Sequence, residues 1–304
     1  MLGDTVSAIA RSQAVARILF DSFRSQGIHG RNDMPEDELP LDVQRGSLEH
    51  LLFITLTVAI DYQRDANALW ASARKTFADA DTKYLFDPAL VDSAGRTKVQ
   101  ADLTKYGLSK KPNRDCNIWY TIAVTFHKKW RGDPKIFLAA CGWDAVTVLK
   151  RLHTGTHLEQ GKERLDYPYL RGSKIGPLWL RMLHDNAGLQ IQHLDKVPIP
   201  VDVHIARASL ATGIVMGRYS GGHGEIYESI RQAWAAAVIG LKAGERPMRA
   251  LDLDEALWHL SKYGCSKGRN LETGNCCKIS SCEARNFCIP GKVIIKAGHV
   301  TMDT

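Results

Sequence analysis

No apolar run in this chain is long enough to cross a bilayer. The longest, 51–60, has ten residues, about half of what a membrane helix needs. The first thirteen residues carry Asp4 and Arg11 and lack the apolar core of a signal peptide. Strand signals are few, 292–296 being the best example, and no internal repeat or low-complexity tract is present. Acidic side chains are fewer than basic ones, 33 against 40, for a net charge of +7 and a pI near 9.0. What remains is a mostly helical chain with no membrane segment and a lean toward an anionic partner. A cytoplasmic, nucleoid-associated setting is expected, and in that reducing compartment clustered cysteines favour metal over disulfides.

At 304 residues, one large domain or two moderate ones fit. The spacing predicts a helix over 5–23, with Ile9, Ala14, Ile18 and Leu19 near one face. A polar connector follows over 27–41, and Ser47 then opens a helix with Glu49 close behind. Because 51–60 is apolar nearly all round, that helix is expected to be buried on all sides. Further helices are predicted over 66–77, 117–129, 134–140 and 144–152. Another over 226–241 puts Ile226, Ile230, Trp234 and Ala237 on one side. Asp254 is expected to cap a last one, in which Leu257, Trp258 and Leu260 face inward. Loops are expected at 108–114, 155–161, 220–224 and 264–285. Cys116 and Cys141 stand alone and read as buried small hydrophobes.

Three segments carry chemistry. In Ile199-Pro200-Val201-Asp202-Val203-His204, Pro200 keeps Ile199 out of the helical region. Asp202 then serves as N-cap to a helix starting near Val203. In Leu170-Arg171-Gly172-Ser173-Lys174-Ile175-Gly176-Pro177, a glycine turn between helices exposes backbone N–H groups that can hold a phosphate without reading sequence. Finally, Cys265, Cys276, Cys277, Cys282 and Cys288 crowd five of seven cysteines into the last forty residues. Four thiolates are the count for an iron–sulfur cubane or a Cys₄ zinc site, so one is spare, and Cys276 or Cys277 is the ambiguous choice.

In this order the three segments resemble the helix-hairpin-helix (HhH-GPD) DNA glycosylases, in particular the endonuclease III-like members with a C-terminal iron–sulfur loop. Asp202 and His204 match the family's Val-Asp-x-His setting. Gly172-Ser173-Lys174-Ile175 matches its Gly-x-Lys-aliphatic hairpin, with Gly176 at the small position. The segment 257–265 resembles the helix leading into the first metal ligand. The resemblance implies an all-α, two-lobed fold. A central helical barrel lobe, 45–200, would hold the helix-hairpin-helix at about 165–185, and a discontinuous lobe of 1–44 plus 201–304 would bear the [4Fe-4S] loop, with zinc as the alternative. DNA would cross the cleft between the lobes.

The implied function is a DNA glycosylase, a monomer acting on double-stranded DNA with an extruded base. Asp202 would stabilise the sugar cation during C–N cleavage, and Lys174 would attack the sugar as an amine in a lyase step. Gly172, Ser173 and Gly176 would bind the DNA backbone, while Asp61, Tyr62 and Gln63 would fill the gap or line the pocket. Cys265, Cys276 (or Cys277), Cys282 and Cys288 would hold the cluster. His204 would pack behind the aspartate. Lys267, Arg269, Lys278 and Arg285 would rim the loop toward DNA, with Lys128, Lys129, Trp130 and Arg131 as further contacts.

The chain departs from the family in places. Leu170 replaces the first hairpin glycine, and Lys174 precedes Asp202 by 28 residues, about ten more than in the family. Ten residues lie between Cys265 and Cys276, four between Cys277 and Cys282 and five between Cys282 and Cys288, where the family has six, two and five. An alignment shifted by two puts Gly176 in the lysine's place and leaves a monofunctional enzyme that stops at the abasic site. The insert 186–196 and the long N-terminal portion have no counterpart. Two other readings follow: a specialised defence glycosylase removing a bulky modified base from viral DNA, and a non-catalytic or zinc-organised DNA-binding protein.

Overall fold

The structure, a computed structural model, describes residues 2–296 and 298–304. It is mostly helical, 54% helix against 11% strand. The chain divides into two compact units, Met34–Leu194 and a discontinuous one of Met1–Asp33 with Asp195–Thr304.

The discontinuous unit begins with α1 (Leu2–Ser25). Ser12, Val15, Ala16, Leu19 and Phe20 are its buried stripe, an i, i+3, i+4, i+7 series. Ala14 and Ile18 flank the stripe half-buried. Ile9, expected within it, lies before the packed turns and is 42% exposed.

The middle unit opens with α2 (Leu48–Ala59), whose N-cap Ser47 accepts from His50 N at 3.2 Å. Every residue from 50 to 61 is buried, as an all-round apolar helix requires. α3 (Ala66–Ala78) is capped by Asp65. Phe53, Trp70, Phe77, Phe86 and Trp119 form an aromatic cluster with neighbouring centroids 5.2–5.8 Å apart. α4 (Pro88–Asp102) has no clear period in the sequence because Gly95, at φ 76°, breaks its helical geometry midway. α5 (Pro112–Trp130) starts earlier than the apolar period suggests, since Pro112 is pre-set for a first turn. α6 (Pro134–Ala140) and α7 (Ala145–Thr154) are capped by Asp133 and Asp144.

The expected loop after α7 is instead a two-stranded hairpin, β1 (Thr156–Glu159) with β2 (Lys162–Leu165), turning at Gln160 and Gly161, both with positive φ. α8 (Ile175–Asp185) follows. The insert closes against α7, with Gln192 N donating to Trp143 O at 2.8 Å and Ala145 N to Gln192 O at 3.0 Å. The unit boundary falls at 33/34 rather than 44/45 because Glu36 is an almost wholly buried partner of Arg181 in α8. Arg74 also donates to Pro35 O at 3.0 Å.

The discontinuous unit resumes with α9 (Val203–Ala211), β3 (Arg218–Gly222) and α10 (His223–Ala237). A small pair, β4 (Lys242–Ala243) and β5 (Arg246–Pro247), comes next. α11 (Asp254–His259) runs into a π-helical segment, Leu260–Cys265. Asp254 is the first helical residue rather than the cap, because the turn Ala250–Leu253, held by Arg249 and Asp252, already supplies the preceding turn. β6 (Lys292–Lys296) and β7 (His299–Asp303) complete an antiparallel sheet of order β3-β7-β6, with Met302 opposite both Tyr219 and Val293. Only β6 is β-branched enough to signal itself. The glycines of β3 and the polar ends of β7 need their neighbours to become strands. Among the described residues no helix is long and apolar enough to cross a membrane.

Candidate functional site

Chemistry-bearing side chains gather at one place in each unit. In the discontinuous unit, Asp202 is the extended N-cap of α9, and its Oδ1 accepts from His204 N at 2.8 Å and Ile205 N at 2.9 Å. Val201, Ile205 and Ala206 beside it are buried, while Asp202 is only half-buried. The flanking core therefore fixes the backbone, and the two N–H groups hold the carboxylate in one rotamer at the positive end of a helix.

Behind Asp202 lies a polar network that local sequence did not reveal. Ser261, fully buried in the π-helical segment, takes Arg207 Nη1 at 3.1 Å and stands 3.2 Å from His204 Nδ1. Burial lowers the Arg207 pKa, while Cys265 and Asp202 act the other way. The guanidinium thus lies within electrostatic reach of both the carboxylate and the cysteine loop. The only hint in the sequence is the spacing: Arg207 lies one helical turn beyond His204 and shares its face.

Cys265 ends the π-helical segment. Its thiol is pushed up to about 12 by burial first, then by Cys282, Cys288 and Cys276. Burial likewise raises Cys282 to about 11, with Glu283, Cys288 and Cys276 adding to it. Cys265, Cys276, Cys282 and Cys288 thus lie within electrostatic reach of one another, and a cation among them would reverse this balance toward thiolates. Cys277 is exposed and absent from both sets. The long Cys265–Cys276 spacing is taken up by a reversal, in which Arg269 bridges antiparallel to Cys276 and Cys277 N donates to Gly268 O at 3.0 Å. A Cβ on Gly268 would come within 3.1 Å of Cys276 Sγ, so this glycine lets the loop close. Arg269, nearly buried, donates to Cys288 Sγ at 3.3 Å and to Ile289 O at 2.7 Å. It is therefore part of the loop's frame and not of an outer rim.

His29, Cys282 and Glu283 are the one trio of potential ligand atoms within 4.8 Å of one another among the described residues. His29 N donates to Glu283 Oε1 at 3.0 Å. His29 Nε2 and Glu283 Oε2 are buried without a hydrogen-bond partner. Neither residue stood out in the sequence.

In the middle unit, Lys174 is the N-cap of α8. Its Nζ donates to Asp61 O at 3.0 Å and Asp61 Oδ2 at 3.1 Å. A carboxylate at that distance favours the ammonium, whereas amine attack on a sugar requires the free base. Asp61 is buried at the end of α2 and holds the lysine; it does not project as a wedge. Tyr62 Oη donates to Asp115 Oδ1, and Lys111 Nζ bonds Gln63 Oε1. Buried Asp115 also accepts from Ser109 Oγ, Lys110 N and Lys111 N, each at 2.9 Å. Burial and this carboxylate raise the Tyr62 phenol pKa, so it stays a donor.

The hairpin glycines differ in role. Gly176 is buried, its N–H goes to Gly172 O at 2.9 Å, and a Cβ there would come within 2.9 Å of Leu149 Cδ2. It serves the packing of α8 on α7 and has no N–H to offer a phosphate. The Gly172 N–H goes to Tyr169 O at 2.8 Å. Of the basic run expected to touch DNA, Lys129 pairs with buried Asp166 at 2.6 Å, Lys128 with Asp92 at 3.5 Å, and Trp130 Nε1 donates to Tyr167 Oη at 2.6 Å. A scan against protein-family models and a search of curated proteins each find no match to the chain.

Proposed function

We propose that this chain is a DNA glycosylase of the helix-hairpin-helix type with a structural [4Fe-4S] cluster. The observation that carries the reading is Asp202, fixed in one rotamer at the mouth of α9 and backed by the hydrogen bonds of His204 and Arg207 with Ser261. When an N-glycosidic bond breaks, its electron pair leaves with the base and positive charge builds on the sugar. A preorganised carboxylate on that sugar stabilises the transition state more than the ground state. Water then adds to the sugar carbon and loses a proton.

Cys265, Cys276, Cys282 and Cys288 are the thiolates that would hold the cluster, whose contribution is to brace the loop. Four sulfurs on one zinc ion stand ~3.8 Å apart for tetrahedral bonds of about 2.3 Å. Among the described residues no three cysteine sulfurs lie within 4.8 Å of one another. A zinc-organised fold remains the second reading, and the His29, Cys282 and Glu283 trio favours it. Protein purified without oxygen separates the two: iron with acid-labile sulfide supports the first, and colourless protein carrying zinc supports the second.

Lys174 is read as an ammonium held by Asp61, with base release as the main reaction and any lyase step weak at neutral pH. The test is a panel of duplexes carrying damaged bases and modified cytosines or uracils, developed by alkaline cleavage with parallel borohydride trapping. Alkali-dependent cleavage at one class of base, with little trapped adduct, is the expected outcome. No cleavage across the panel contradicts the enzyme reading, and strong trapping at neutral pH contradicts the role given to Lys174.

A further inference from the structure

The turn before α8 carries Tyr169 in the left-handed region, at φ 62°. Bulky side chains adopt that conformation only at a cost, so the surroundings must hold it there. The Tyr169 ring lies on Tyr62, with centroids 4.4 Å apart and planes inclined by 31°. Tyr62 is locked from behind by Asp115, itself buried and accepting three further hydrogen bonds. The outer ring of the pair, Tyr169, is 39% exposed.

Two cations flank the pair. Arg114 Nη1 donates to Tyr169 Oη at 3.4 Å, and Lys111 Nζ lies 4.9 Å from the Tyr62 centroid. Gln63, which Lys111 bonds, also has positive φ, at 50°. An exposed aromatic ring, backed by a second ring and flanked by two cations, is an arrangement that binds an unstacked base together with its phosphates.

We propose that Tyr169 is a stacking face for an unpaired nucleobase of a DNA strand, with Tyr62 and Asp115 as positioning residues behind it. This rests on the DNA-binding reading above and assigns that reading's base contact to Tyr169 in place of Tyr62, whose hydroxyl is tied and whose ring is covered. Phosphates flanking the base are drawn by Arg114 and Lys111. The pairing is a property of the middle unit alone and needs neither Asp202 nor the cysteine loop.

The test compares equilibrium binding of two labelled duplexes at one fixed salt concentration, one fully paired and one with a single unpaired base. Wild-type protein, Tyr169→Phe and Tyr169→Gly are measured in parallel. The glycine variant suits the left-handed backbone, so the turn is preserved when the ring is removed. Wild type and Tyr169→Phe are expected to prefer the unpaired-base duplex. Tyr169→Gly is expected to lose roughly five- to hundredfold in affinity for it, the range for one base stacked on an aromatic ring, with binding of the paired duplex unchanged. Retained preference in Tyr169→Gly, or equal binding of both duplexes by wild type, overturns the stacking assignment while leaving the glycosylase reading in place. Failure of wild type to bind either duplex overturns both.

Discussion

His259 has no exposed surface and packs against Phe23, Trp258 and Tyr263 at centroid distances of 5.2–5.5 Å. Burial lowers its pKa from 6.5 to about 4, against an opposing pull from Asp33. The folded state therefore disfavours the proton. Above pH 6.5 both states are neutral and the full stability is present. As pH falls from 6.5 toward 4 the unfolded chain binds a proton that the folded chain refuses, at a cost of roughly 3 kcal/mol. His50, buried in α2 and lowered to about 4 by burial and Arg45, behaves in the same direction. Urea midpoints for wild type and His259→Phe at pH 7.5 and 4.5 check this. The drop is expected to be smaller in the variant, and equal drops contradict the assignment. None of this was legible beforehand, since a histidine in a helical period looks the same whether its ring is buried or wet.

Among the elements, the cysteine loop shows best how far sequence reaches. Its five thiols and the approach through 257–265 were legible because composition and local order carry them. The choice between Cys276 and Cys277 was not, because adjacent residues differ only in which way the chain turns. That direction is set by the reversal at Arg269 and by the space Gly268 leaves. Cys276→Ser is expected to lose most of its iron and sulfide and Cys277→Ser to keep both, as metal and sulfide analysis of the purified variants would show. Equal iron in the two variants contradicts the assignment.

The Asp202 cap was legible for the opposite reason, since proline, aspartate and the following apolar period all lie within one turn. Asp61 and Gly176 misled because a residue type says nothing of which side of a turn it faces. The one became a buried partner for Lys174 and the other a packing contact. Hairpin β1–β2 and strands β3 and β7 were missed because tertiary pairing overrides weak local propensity.

At the level of the whole molecule, two units carry different parts of one proposed chemistry. The discontinuous unit holds the carboxylate, the Ser261 network and the cysteine loop. The middle unit holds the lysine, its aspartate and the tyrosine pair. The mostly helical class was legible from period alone. The boundary near 33 was not, because it depends on a buried ion pair between residues far apart in sequence, Glu36 and Arg181. A net charge of +7 suits a polyanion, and binding carried by phosphate contacts weakens steeply with salt.

The most direct test is single-turnover base release by wild type and Asp202→Asn, on whichever duplex wild type cleaves. Asparagine caps a helix as well as aspartate, so fold and duplex affinity are expected to persist within about threefold. Base release is expected to fall by roughly a hundredfold or more. Release at the wild-type rate from a properly folded Asp202→Asn protein contradicts the account.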